Sequence, residues 1–384
     1  MSARFRLDPN VAAVSAALLL VTLGENLWLK FVPKYLQALG APVLAVGLYG
    51  SLRDLLDGLY QYPGGWAGDR FGRRTALTLF IAIAMCGYGA YLAAPSWPFV
   101  IAGLALVMAW ASMASPTVFA VVGDALPKGK RAIGFTVQAL VKRVPLTVAP
   151  LIGGVVIARS GVVRGVRGML VITLIVAALA LVAARRIALP PVPADALNIR
   201  GVWRTFPHSL RMLLVADIFA RTCEGLVDVF LVIWATNVAH LSAAQFGVLV
   251  SIQSLTSLLV YLPAARFADY GGRKPVVIAT FLCFAAFPVA VVSAHSFGAL
   301  IGAFVVGGLR EVGEPSRKSL IVDFADASCR ARSVGLYYLL RSATIAPAAA
   351  IGGALWNVAP PLPFYTAGSV GILGAIVFAL AVRE

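Results

Sequence analysis

The sequence predicts an all-α membrane protein with twelve transmembrane helices in two pseudo-symmetric six-helix bundles. Three observations carry that expectation. Only 12% of the 384 residues are charged, 60% are hydrophobic, and the mean hydropathy is +0.89. A soluble chain of this size carries about 25% charge to cover its surface. Apolar runs of roughly 20 residues recur, the length that crosses a ~30 Å hydrocarbon core. Polar landmarks of the first half return in the second at a nearly constant offset.

The elements follow in order. The first span, 11–37, begins like a signal peptide, with Arg4 and Arg6 before an apolar run. No small-residue cleavage site follows, and the run continues through Gly24, Glu25 and Asn26, so it reads as a retained helix. Five more spans are expected at 42–67, 75–94, 98–122, 133–157 and 165–185. The connector 187–207 holds Pro190, Pro191 and Pro193, which break helix. Its later part, Leu197–Phe206, fits a short interfacial helix with Trp203 and Phe206 among headgroups. Six further spans are expected at 208–238, 242–265, 275–294, 297–322, 333–357 and 361–382. The domains are then 1–186 and 208–384. An even helix count puts both termini on one side. The loops there hold most of the basic residues, among them Arg73, Arg74, Lys128, Lys130, Arg185, Arg186, Arg273 and Lys274. That bias places both termini in the cytoplasm, with the chain in a cell inner (plasma) membrane. Arg159, Arg164 and Arg167 form the one basic loop on the other side.

The net charge of +16 lies in short clusters between apolar runs, which argues for topology and against nucleic acid. Four scattered cysteines and three isolated histidines give neither a disulfide framework nor a metal site, and no cofactor is implied. No loop is long enough to form a catalytic domain, so an enzyme or receptor is disfavoured.

The repeat is specific. Pro116 and Asp124 correspond to Pro315 and Asp323, and Glu25 corresponds to Glu224, both at an offset of 199. Asp69, Gly72, Arg73 and Arg74 correspond to Asp269, Gly272, Arg273 and Lys274 at 200, each set with a proline six residues upstream. Pro150, Gly153 and Gly154 are echoed by Pro347, Gly352 and Gly353. A duplicated six-helix unit with one site between the copies is the plan of a secondary transporter.

The stretch Gly65-Trp-Ala-Gly-Asp69-Arg70-Phe-Gly72-Arg73-Arg74 resembles the signature of the major facilitator superfamily between helices 2 and 3. The second copy has Ala265 and Tyr270 where the first has Gly65 and Arg70. The resemblance implies the twelve-helix major facilitator fold and a cytoplasmic latch at these residues, which stabilises one of two alternating states. Pro150-x-x-Gly153-Gly154 resembles the helix-5 antiporter motif of the same superfamily, in which small residues allow close helix contact. In that architecture helices 1, 4, 7 and 10 line a central cavity.

Ionisable groups inside the bilayer cost several kcal/mol and normally face partners or a watery cavity. Helix 1 carries Glu25 and Asn26, helix 2 Arg53, Asp54 and Asp57, and helix 5 Arg143. Helix 7 carries Asp217, Arg221, Glu224 and Asp228 as one stripe; helix 10 carries Arg310, Glu311 and Glu314; helix 11 carries Arg341. Spacing of i,i+4 predicts Arg53–Asp57 and Arg310–Glu314 pairs, and Arg221 can pair with Asp217 or Glu224. Arg143 and Arg341 occupy matching places and can clamp an anion or pair with carboxylates of the other half. Trp28, Trp110, Trp234 and Tyr337 are candidate cavity-lining or packing residues. The expected function is monomeric alternating-access transport of a small molecule with protons, most simply export of small organic molecules or drugs. Proton-coupled uptake of an organic anion or zwitterion is the alternative.

Overall fold

The computed structural model describes residues 9–125, 131–187, 203–204, 206–324 and 330–382. The described residues form twelve helical rods, and no strand occurs among them. The first six are α1 (Pro9–Ala38), α2 (Val43–Arg70), α3 (Arg73–Ala93), α4 (97–125), α5 (Arg131–Ser160) and α6 (Val162–Ala184). The last six are α7 (208–238), α8 (Ala243–Gly271), α9 (Arg273–Ser293), α10 (297–324), α11 (330–358) and α12 (Leu362–Ala381). Among the described residues, nine of these rods hold a stretch long and apolar enough to cross a membrane. The three that do not are α2, α7 and α10, and these carry the clusters around Asp54, Glu224 and Arg310. Their polarity is tolerated because it faces protein rather than lipid.

Within the first six rods, α1 packs on α5 and α6, and α3 packs on α4 and α6. The last six repeat the plan, with α7 on α11 and α12, and α9 on α10 and α12. The two sets meet along α5–α8 and α2–α11. Outward-facing leucines, isoleucines and valines on α6 and α12, such as Ile175, Leu179, Ile376 and Leu380, are exposed, as lipid contact requires.

The repeat is written into backbone irregularities. α1 passes through a 3-10 turn at Leu29–Phe31, and α7 through one at Asp228–Phe230, an offset of 199. The residues before them, Trp28 and Val227, share φ −123° and ψ near −21°. In α4 a π-bulge spans Ala109–Met113, and α10 breaks into a turn between Leu309 and Glu314. Gly72 and Gly272 open α3 and α9 at φ +83° and +85°, a region that residues with a Cβ resist. A Cβ at Gly72 would meet no atom within 4 Å, so its glycine answers a conformational need.

The basic loop at Arg159, Arg164 and Arg167 has a partial physical reason. Arg167 donates to the carbonyl of Ala94, 2.7 Å away, just past the C-terminus of α3, where a cation complements the helix dipole. Arg159 and Arg164 are exposed. Most of the connector lies outside the described residues. Where it resumes, Phe206 is buried beneath Trp203, with ring centroids 5.1 Å apart, and Arg211 stacks on Trp203. Phe206 is therefore a packing residue, which corrects its expected place among headgroups.

Candidate substrate and coupling site

Glu25 sits on α1 one turn before the 3-10 break and is buried. The Tyr88 hydroxyl of α3 donates to its carboxylate at 2.7 Å. Tyr88 is fixed edge-on against Trp28, whose indole N–H donates to Thr173 of α6. Among the described residues no lysine or arginine forms an ion pair with Glu25; Lys142 of α5 acts on it at longer range. Asn26 donates to the Thr22 carbonyl of its own helix, so it serves α1 locally.

The polar face of α2 turns toward the last six rods. Arg53 reaches Asp228 of α7 at 3.0 Å, and Lys30 of α1 reaches the other oxygen of the same carboxylate at 3.1 Å. Arg53 also lies 3.4 Å from Asp54. Asp57 accepts from Ser112 at 2.7 Å, a hydroxyl presented by the π-bulge of α4. The expected Arg53–Asp57 pair is thus replaced: a partner across the interface outcompetes the one a turn away on the same helix. Nearby, Lys34 bonds Asn237, which donates to Gln37 at 3.3 Å. Arg143 of α5 donates to Ser257 of α8 at 2.7 Å, again between the two sets of rods.

A second cluster joins α7, α10 and α11. Arg221 holds Glu224 at 2.8 Å and Glu314 at 3.1 Å, and Arg310 lies 3.6 Å from Glu224. Arg317 bridges Glu314 and Asp217. Asp217 has no exposed side-chain surface and also receives Tyr337 at 3.1 Å and Arg341 at 3.4 Å. The expected Arg310–Glu314 pair does not form because α10 breaks between these two residues and loses i,i+4 geometry. Arg310 instead stacks on Phe287 and Phe284, and Arg221 stacks on Phe284 as well. Glu311 is half-buried beside this group and adds negative charge near Arg221. Arg341 pairs within its own set of rods and stacks on Tyr338. Trp28, Trp110, Trp234 and Tyr337 are all buried, which makes them packing residues.

The paired glycines divide their work. A Cβ on Gly153 would stand 1.9 Å from the Leu27 carbonyl oxygen of α1, and one on Gly352 would stand 2.2 Å from the Leu226 oxygen of α7. Both carbonyls lie just before the 3-10 breaks. The neighbouring glycines face the other set of rods. A Cβ on Gly154 would meet the Ala243 oxygen at 2.4 Å, and one on Gly353 would lie 3.4 Å from Leu44. Each Gly-Gly pair therefore seats one helix against its own partner and against the opposite six rods. Pro150 and Pro347 stand upstream of these contacts, with Pro150 inside α5 and Pro347 at the start of the second segment of α11.

The sequence profile of the Major Facilitator Superfamily matches residues 14–220 and again 213–384. The chain belongs to the major facilitator superfamily. The quinolone resistance protein NorA of Staphylococcus aureus is 24% identical over 145 residues, 38% of this chain and 37% of NorA, so the match spans little more than a third of that relative. The human organic anion transporter MFSD10 is similar in structure, with a TM-score of 0.70 and 18% identity over 96% of this chain and 99% of that one. The nucleoside transporter NupG gives a TM-score of 0.80 at 11% identity over 97% and 100% of the two chains.

As a member of the superfamily, the chain is a membrane transporter rather than an enzyme. Its signature loop is described only in part, since the side chains of Asp69 and Asp269 lie outside the described residues. Arg73 is buried against α2, and a Cβ on Gly68 would lie 3.2 Å from its guanidinium. Arg70 stacks on Trp66 at 5.4 Å, and Arg74 is exposed. Gly65 faces Pro116 of α4. In the second copy Arg273 pairs with Asp323, and Lys274 donates to the Val382 carbonyl past the end of α12. Sequence reasoning missed Tyr88, Ser257 and the role of Lys30. The repeat held one usable signal: Lys30 follows Leu29, the counterpart of Asp228 at the offset of 199.

Proposed function

We propose that this chain is a proton-coupled exporter of small organic molecules, working by alternating access between halves 1–186 and 208–384 in a cell inner membrane, with both termini cytoplasmic. The observation that carries the reading is Glu25. Its carboxylate is buried with a hydroxyl partner and no described ion pair, whereas Asp217, Glu224, Asp228 and Glu314 each have cations. Burying a carboxylate that has no ion-pair partner is costly, and taking a proton removes the charge. A group that is buried in one state and wetted in the other ties proton uptake to that change. Export is supported by the similarity to a quinolone resistance protein and by the resemblance of Pro150-x-x-Gly153-Gly154 to the helix-5 antiporter motif.

The test is transport by the purified chain in liposomes. A panel of lipophilic cations, organic anions, amino acids and sugars is first screened for thermal stabilisation, which reaches about 2.7 kcal/mol for a ligand at 100 times its Kd. The best binder then drives proton movement, followed with an internal pH dye. Glu25→Gln should retain binding and lose proton movement; unchanged coupling in that variant refutes the assignment.

Proton-coupled uptake of an organic anion or zwitterion is favoured by one observation. Four guanidinium groups, Arg221, Arg310, Arg317 and Arg341, gather in the α7–α10–α11 cluster. Accumulation inside cells, rather than expulsion, selects that reading.

A further inference from the structure

The bridge between Lys30, Arg53 and Asp228 joins two cations of the first six rods to one carboxylate of the last six. Each carboxylate oxygen takes a different donor, at 3.1 and 3.0 Å. Lys30 lies in the 3-10 turn of α1, and Asp228 opens the corresponding turn of α7, so the two helices break where their charges meet. The Lys30 side chain is 36% exposed, so the site borders open space. Other charged or polar groups around it include Asp54, 3.4 Å from Arg53, the buried Tyr49, whose hydroxyl lies near Arg53, and Glu224 of α7, which adds negative charge near Asp228 and Asp54.

The two cations belong to neighbouring helices and stay together, while Asp228 belongs to the other set of rods. Any rearrangement that parts α7 from α1 and α2 leaves Lys30 and Arg53 with Asp54 alone. That is an uncompensated positive charge in a site already spaced for one O–C–O group. We propose that Lys30 and Arg53 form the subsite for a substrate carboxylate, and that Asp228 occupies it as an internal stand-in when the rods are joined. Substrate and Asp228 then compete for the same two donors, and carboxylate arrival favours the parted arrangement because it replaces the bonds that parting breaks. The inference rests on the transport reading above and deepens it by naming a chemical group of the substrate.

The experiment uses the full chain in detergent and benzoate as the probe, with benzamide and inorganic phosphate as comparisons. Asp228→Asn removes the internal competitor, so benzoate should bind about tenfold or more tightly than to the unsubstituted chain. Adding Lys30→Gln or Arg53→Gln to that variant should abolish the gain, and benzamide should not bind. Asp228→Ser serves if the Asn variant does not fold. Equal benzoate affinity with and without Asp228, a gain that survives Arg53→Gln, or equally tight phosphate binding would each overturn the carboxylate subsite. Glu25→Gln in the Asp228→Asn background should leave benzoate binding intact. Loss of proton coupling by Glu25→Gln alone in liposomes alongside absent benzoate binding sinks the subsite alone, whereas benzoate binding with intact coupling in that single variant sinks the Glu25 assignment alone.

Discussion

Asp217 and Glu25 are both buried carboxyl groups, and their neighbours give them different work. Asp217 meets Arg317, Arg341 and Tyr337 with no exposed side-chain surface. Removing its charge leaves Arg341 without its carboxylate and Arg317 with Glu314 alone. Breaking a buried pair in this way costs about 3–5 kcal/mol, so Asp217→Asn should lower thermal stability sharply and reduce the yield of folded protein. Glu25→Gln keeps a group that can still bond the Tyr88 hydroxyl, and no described cation is stranded by it. Its stability should change by no more than about 1 kcal/mol, the worth of one hydrogen bond. Thermal unfolding of the two variants side by side checks both expectations, and similar losses would place Glu25 with the structural charges.

At the scale of the helix, glycine contacts set the packing. A side chain at Gly153 must displace the Leu27 carbonyl, and one at Gly352 the Leu226 carbonyl. Neither can yield cheaply, because each is backbone entering a 3-10 turn. Gly153→Ala and Gly352→Ala should each destabilise by about 1–3 kcal/mol, the range for overpacking. Gly168→Ala on α6, where a Cβ meets nothing within 4 Å, should be nearly silent. Gly72→Ala should cost about 1–3 kcal/mol through its positive-φ backbone alone. Equal thermal stabilities for Gly153→Ala and Gly168→Ala would contradict this account of the contacts.

The glycines and the twelve rods were legible in the sequence because apolar length, small residues and the 199–200 offset are local or periodic signals. The charge pairings were legible only where the helix is unbroken and no rival partner stands opposite. Arg221–Glu224 follows its i,i+3 spacing, while Arg310 and Glu314 are separated by a break that no spacing rule shows. Arg53 turns from Asp57 to Asp228 because the two sets of rods meet there, and that approach exists only in three dimensions.

For the whole molecule, the meeting of the two six-rod sets is a set of close contacts along α5–α8 and α2–α11. Backbone approaches at Gly47, Gly154 and Gly247 recur on both seams, with Cβ-to-carbonyl distances of 2.4–2.6 Å that only glycine permits. Lys30–Asp228, Arg53–Asp228 and the Ser51 hydroxyl accepting from the Ala350 N–H tie the same region with polar bonds. Alternating access by rocking halves requires these seams to open and reclose. A covalent link across one seam should therefore arrest transport without harming the fold. A Cβ on Gly353 lies 3.4 Å from the Leu44 Cα, so the two Cα atoms are within about 5 Å, inside the ~4.4–6.8 Å range that disulfides span. Leu44→Cys with Gly353→Cys should cross-link under mild oxidation and block substrate movement in liposomes, and a reductant should restore it. Each single cysteine variant should transport under both conditions, which separates the cross-link from the substitutions. Full transport by the oxidised, cross-linked protein would show that this seam stays closed throughout the cycle, and the moving interface would then lie elsewhere.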